Sequence, residues 1–204
     1  MLSRKQVFWE VDTQADFMLP GGKLYVPGAE RLLPNIQRLT DAARNGRVFL
    51  VSHGCYHSPN DPEFSTFPSH CLKGTQGADF VPQALTDKVI TVPNDPEAKL
   101  PDELSPYQQI LLQKQTLDIF ESLQADALVK RLPSDAEFVV FGVVTEYCVR
   151  FAAKGLLDRG RHVSVVSDAI ETLSAEAAEN TTAELRALGA KFITTEEALR
   201  VLPD

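Results

Sequence analysis

The run Phe138-Val139-Val140-Phe141-Gly142-Val143 is almost unbroken in its hydrophobicity. A strand with one solvated face alternates apolar and polar side chains. A run apolar at every position belongs to a strand covered on both faces, as in a parallel sheet. Its surroundings repeat the theme. Val7–Asp12, Arg47–Ser52, Val89–Val92, Ile110–Lys114, His162–Ser167 and Lys191–Ile193 read as further strands. Between them lie helix-length stretches. Leu32, Ile36, Leu39 and Ala43 share one helical face before Gly46, residues 116–130 and 174–188 read as helices, and a helix from about Glu146 to Arg159 ends at Gly160. Alternation of this kind specifies a three-layer α/β/α architecture with a central, mostly parallel, Rossmann-like sheet.

With 204 residues, 44% hydrophobic and 24% charged, the chain suits a single domain spanning 1–204. A net charge of −8 argues against a general nucleic-acid binder. No apolar run approaches the roughly 18–20 residues that span a bilayer, and Met1–Lys5 lead into a strand without a signal-peptide core. Cys55, Cys71 and Cys148 are too few, and odd in number, for a disulfide framework, which suits a reducing cytoplasm.

In open α/β sheets the ligand site lies beyond the carboxyl ends of the strands. The polar residues at those ends are Asp12, Ser52 to His57, Lys114, Thr145 to Cys148, and Asp168. Cys148, read as one turn into a helix, would feel the positive end of the helix dipole, which favours a thiolate. Taken alone it reads equally well as an inert thiol packed on the sheet. A carboxylate at Asp12 able to act as base, and a cation at Lys114, make a nucleophile the better reading.

Three blocks carry a family resemblance. Asp12-Thr13-Gln14-Ala15-Asp16-Phe17 resembles the D-x-Q-x-D-F opening of the isochorismatase-like cysteine hydrolases, whose best-known members are nicotinamidases. Gly142-Val143-Val144-Thr145-Glu146-Tyr147-Cys148-Val149 is similar to that family's nucleophile segment. Phe67 to Ala78 is similar to the nicotinamidase W-P-x-H-C-x-x-G-T-x-G-A loop, and the Lys114 strand lies between the blocks in the expected order.

The resemblance implies the isochorismatase-like hydrolase fold and a catalytic triad of Asp12, Lys114 and Cys148. It also implies an oxyanion hole from the backbone N–H groups of Val144 and Cys148, beside a cis peptide between Val143 and Val144. Phe17 and Phe67 match positions that sandwich a substrate ring, with Phe67 in place of the usual Trp. A divalent metal is implied at His57, Glu63 and His70, with Cys55 where the family has Asp. Such a donor set suits zinc, with manganese or iron as alternatives, and no organic cofactor is expected. His53, close by, is a candidate replacement ligand.

The implied activity is hydrolysis of a small carboxamide through a thioester, nicotinamide to nicotinate being the leading pair. The alternatives are metal-independent hydrolysis of another small amide, ureido or carbamoyl compound, or a non-catalytic binding protein on the same fold. A small-molecule partner, no nucleic acid, no membrane and a homo-oligomer are expected.

Overall fold

The computed structural model describes residues 6–203. Met1–Lys5, on which the expectation about a signal peptide falls, lie outside the described residues.

A seven-stranded sheet forms the centre, and every strand pair in it is parallel. In chain order the strands are β1 (Gln6–Val11), β2 (Phe49–Cys55), β3 (Val89–Val92), β4 (Gln109–Lys114), β5 (Glu137–Val143), β6 (His162–Glu171) and β7 (Lys191–Ile193). In space the order is β3-β4-β2-β1-β5-β6-β7. The helices are α1 (Ala15–Met18), α2 (Leu33–Arg44), α3 (Ala125–Arg131), α4 (Arg150–Asp158), α5 (Ala175–Ala187) and α6 (Thr195–Arg200).

Two cores follow from the period of two along each strand. Phe8, Leu50, Val139 and Phe141 pack with Ile36 and Leu39 of α2 and Ala198 of α6. Val7, Trp9, Phe138 and Val140 pack on the other face with Leu128 of α3, Leu156 of α4 and Leu185 of α5. Both faces of β5 are therefore dry, as its apolar run requires. Each fully buried side chain of this size contributes roughly 1.5–3 kcal/mol.

The sheet changes direction at β1. From β1 the chain moves outward to β2, packing α2 on one face, whereas β5 returns to the far side of β1 and its α4 covers the opposite face. The crevice between diverging connections lies where β1 and β5 end. Gly142 lets these strands approach. Its φ is +118°, and a Cβ there would stand 2.0 Å from the Val11 carbonyl oxygen.

Several boundaries differ from the sequence reading. The helix expected at 116–130 is only a single turn at Ile119–Glu121 and then α3. The Asp118 carboxylate accepts the Phe120 N–H at 2.8 Å, and Asn94 takes the Leu123 N–H at 3.1 Å, which stops one helix from running through. The helix expected from Glu146 begins regularly only at Arg150, because Thr145–Val149 forms a wide turn with Tyr147 at φ −116°, ψ −106°. The strand expected to stop at Ser167 continues to Glu171, so Asp168 is internal and caps α6 by accepting from Thr195. Helix α6 itself went unread, although Thr194 and Glu197 form a full capping box.

Candidate active site

The opening motif builds the floor of the crevice. Asp12 follows β1 with φ +50°, and its N–H bonds to the His53 carbonyl at 2.9 Å. Gln14 locks the end of β2: its side chain donates to the Cys55 and Ala78 carbonyls at 2.6 and 2.9 Å and accepts the Cys55 N–H at 2.7 Å. Asp16 accepts the Cys71 and Lys23 N–H groups at 2.7 and 2.9 Å, tying the loop of Phe67 to Ala78 beneath the site. Gly77 makes room for this carboxylate, since a Cβ there would stand 2.2 Å from Asp16 Oδ2 and displace it.

Lys114, the last residue of β4, is fully buried, as are Asp12 and Cys148 within a few per cent. Its Nζ donates to Asp12 Oδ2 at 2.9 Å, to Cys55 Sγ at 3.0 Å and to Cys148 Sγ at 3.5 Å. Burial would raise the Asp12 pKa, but the Lys114 cation and the His53 imidazole outweigh it and hold this carboxyl far below the usual range. Burial would also lower the Lys114 pKa, and the surrounding Asp12 carboxylate and thiols push it well above its ordinary value instead.

Cys148 departs from the sequence expectation of a dipole-favoured thiolate. It precedes regular α4 by two residues. Burial first, and then the Asp12 anion, push its pKa well above the ordinary thiol value despite Lys114. Both directions favour the Asp12 carboxylate beside the Cys148 thiol. The peptide between Val143 and Val144 is cis, as the resemblance implies.

Above these residues lies a mostly apolar pocket that is partly open to solvent. Phe17 and Phe67 both line it, as do Glu63 and His70. Sequence reasoning missed Leu24, Val26, Leu117, Tyr147 and Leu173, which complete the apolar wall. An isolated aliphatic residue carries no signal separating a pocket wall from core. Tyr147 was identifiable only by adjacency to Cys148; its ring stands edge-on to Phe67 at 5.9 Å.

The donor atoms of Cys55, His57 and His70 lie within 4.8 Å of one another and are buried. His57 Nδ1 is 3.0 Å from Asp61 Oδ2, and both His57 ring nitrogens are buried without a hydrogen-bond partner. His70 Nδ1 faces the Pro68 carbonyl at 2.7 Å, which leaves Nε2 for another partner. An imidazole oriented from behind, with a bare nitrogen in front, matches the outer-shell pattern of a metal ligand, and His70 shows it. Glu63 stands just beside this group, its Oε1 4.0 Å from His70 Nε2. His53 does not join it and faces Asp12 instead.

A family model described as the isochorismatase domain matches residues 10–197. The chain belongs to the isochorismatase family. Among its isochorismatase-family relatives, the nicotinamidase of Escherichia coli K12 is 26% identical over 206 residues, covering 90% of this chain and 92% of the relative. An isochorismatase-like hydrolase from Alkaliphilus metalliredigens superposes with a TM-score of 0.76 at 26% identity, covering 96% and 98% of the two chains. The pyrazinamidase of Pyrococcus horikoshii, solved in complex with zinc, shares the fold with a TM-score of 0.74 at 24% identity, over 93% and 99%. No helix among the described residues is long and apolar enough to cross a membrane.

Proposed function

We propose that this chain is a cysteine amidohydrolase that releases ammonia from a small carboxamide, with nicotinamide as the leading substrate. The observation carrying this reading is one buried cation, Lys114, touching both a carboxylate and a thiol at the floor of an apolar pocket. The Escherichia coli relative named nicotinamidase, 26% identical across 90% of the chain, supports the substrate.

The resting protonation states set the first step. Asp12 takes the Cys148 proton as sulfur attacks the amide carbonyl, so the buried thiolate never has to exist alone beside a carboxylate. Lys114 keeps its charge throughout and holds both partners in place. The backbone N–H groups of Val144 and Cys148 receive the developing oxyanion. Asp12 returns the proton to the leaving nitrogen, and ammonia departs from a Cys148 thioester. Water then attacks the thioester with Asp12 as base, releasing the carboxylic acid and restoring the thiol. Phe17 and Phe67 hold the flat ring of the substrate.

Cys55, His57 and His70 form a donor set that fits a divalent metal, with Glu63 as a neighbouring carboxylate. Two imidazoles and a sulfur favour zinc over manganese or iron. Bound there, the ion would act as a Lewis acid that orients a substrate ring nitrogen. A second reading has one observation behind it: Cys55 Sγ is held by Lys114 at 3.0 Å, so it serves the triad as readily as a metal. On that reading the enzyme hydrolyses another small amide, ureido or carbamoyl compound without metal.

On this proposal residues 1–204 form one domain that works in the cytoplasm as a homo-oligomer, with a small-molecule partner and no organic cofactor. Ammonia release from a panel of small amides, with and without added zinc or manganese, tests the function. Nicotinate formation is the expected result; release only from ureido or carbamoyl substrates, independent of metal, would favour the second reading.

A further inference from the structure

His53 belongs neither to the triad nor to the metal-type donor group, yet it is completely buried. Strand alternation explains its position. Ser52 points into the layer of Glu10, to whose carboxylate it donates at 2.6 Å. His53 therefore points to the opposite face, where its ring tilts against Trp9 at 6.1 Å. The register pairs it with Val11, directly before Asp12. Its backbone carbonyl already holds the Asp12 N–H at 2.9 Å.

Neither ring nitrogen of His53 has a hydrogen-bond partner, and neither does Asp12 Oδ1. His53 Nδ1 and Asp12 Oδ1 are 3.6 Å apart. Leaving a buried polar group unpaired is costly, and folded proteins leave few such groups. Two of them facing each other, a few tenths of an ångström beyond bonding distance, need only a small side-chain rotation to pair. Hydrogen bonds at catalytic groups often tighten only when substrate is bound.

We propose that His53 is a positioning residue whose Nδ1–H donates to Asp12 Oδ1 and aims the other carboxylate oxygen at the reacting sulfur. Asp12 Oδ2 is the oxygen on Lys114. With Oδ1 held by a donor in both protonation states, the proton taken from Cys148 is directed to Oδ2, the oxygen from which it must later leave. This role requires the Nδ1–H tautomer, because a bare Nδ1 would set a lone pair against a carboxylate.

The inference rests on Asp12 as the base of the proposed hydrolysis, and its test separates the two. In ¹⁵N-histidine NMR of the full chain, the His53 signal is assigned by its loss in His53→Asn. The expected result is a proton on Nδ1 whose resonance moves in Asp12→Asn. A proton on Nε2 overturns the proposal, whatever the activity. In kinetics, His53→Leu should lower kcat about 10- to 100-fold with KM within about twofold, while His53→Asn, which keeps a donor at the Nδ1 position, should stay within about threefold of wild type. Wild-type kcat in His53→Leu, or equal loss in both variants, overturns it. If wild-type enzyme releases no ammonia from any amide, the hydrolase reading fails, and the tautomer still decides the His53–Asp12 contact. The tautomer also decides if His53→Leu does not fold.

Discussion

Lys114 Nζ sits 2.9 Å from Asp12 Oδ2 and 3.5 Å from Cys148 Sγ, with all three residues out of water. One cation thus binds the end of β4 to the end of β1 and to the turn after β5. The proposed triad is a structural tie as well.

Removing that cation alone should be costly. Lys114→Met leaves the Asp12 carboxylate buried without its partner, a change worth about 3–5 kcal/mol of stability. The double variant Asp12→Asn/Lys114→Met should recover part of that loss, because no charge is then stranded. Urea denaturation of the wild type, both single variants and the double variant gives the coupling. Strict additivity would contradict the ion pair as the source.

Glu10 offers a pH test away from the chemistry. Burial, partly offset by the hydrogen bond from Ser52, raises its pKa from 4.5 to about 8. A carboxyl raised on folding binds its proton more tightly in the native state. Its contribution is fully present below 4.5 and is lost as pH climbs toward 8. Glu10→Gln stays neutral, so the variant should lose less stability than wild type between pH 5 and pH 8, by roughly a few kcal/mol. Thermal melts at the two pH values measure this; parallel pH slopes would refute it.

The candidate metal group makes a separate claim. Elemental analysis should find zinc bound to the wild type and at least about tenfold weaker binding in His57→Ala and His70→Ala. With Co²⁺ in place of zinc, a sulfur-to-metal charge-transfer band should appear and should vanish in Cys55→Asp. If the band never appears although cobalt binds, Cys55 serves Lys114 and is no ligand.

Glu146 ties down the pocket wall. Its carboxylate accepts the Leu173 and Ser174 N–H groups, each at 3.0 Å, and the Thr172 hydroxyl at 2.7 Å. Leu173 lines the pocket. Glu146→Ala should raise KM for the amide several-fold while leaving kcat within about threefold, since the reacting atoms stay in place. A fall in kcat with unchanged KM would point to the Cys148 turn instead.

Much of this was legible in sequence, for identifiable reasons. The β5 run is continuous enough to announce a buried parallel sheet, and the strand-end rule named Asp12, Lys114 and Cys148 as neighbours. What periodicity could not carry was geometry. Nothing about Thr145–Val149 signalled a wide turn rather than a helix, so the expected thiolate gave way to a buried thiol beside an anion. The aliphatic pocket wall was invisible because Leu24 and Val26 look like any core residue. His53 was read as a spare ligand, because the face toward which a strand-end side chain points depends on a register that sequence alone does not reveal.

The central claim is that Cys148 carries the acyl group. Acid-quenched enzyme mixed with nicotinamide, followed by intact-mass and peptide mapping, should show a nicotinoyl adduct on Cys148 alone. Cys148→Ala should show no adduct and lose at least about a thousandfold in ammonia release. Ammonia release that survives in Cys148→Ala at near wild-type rate would contradict the account.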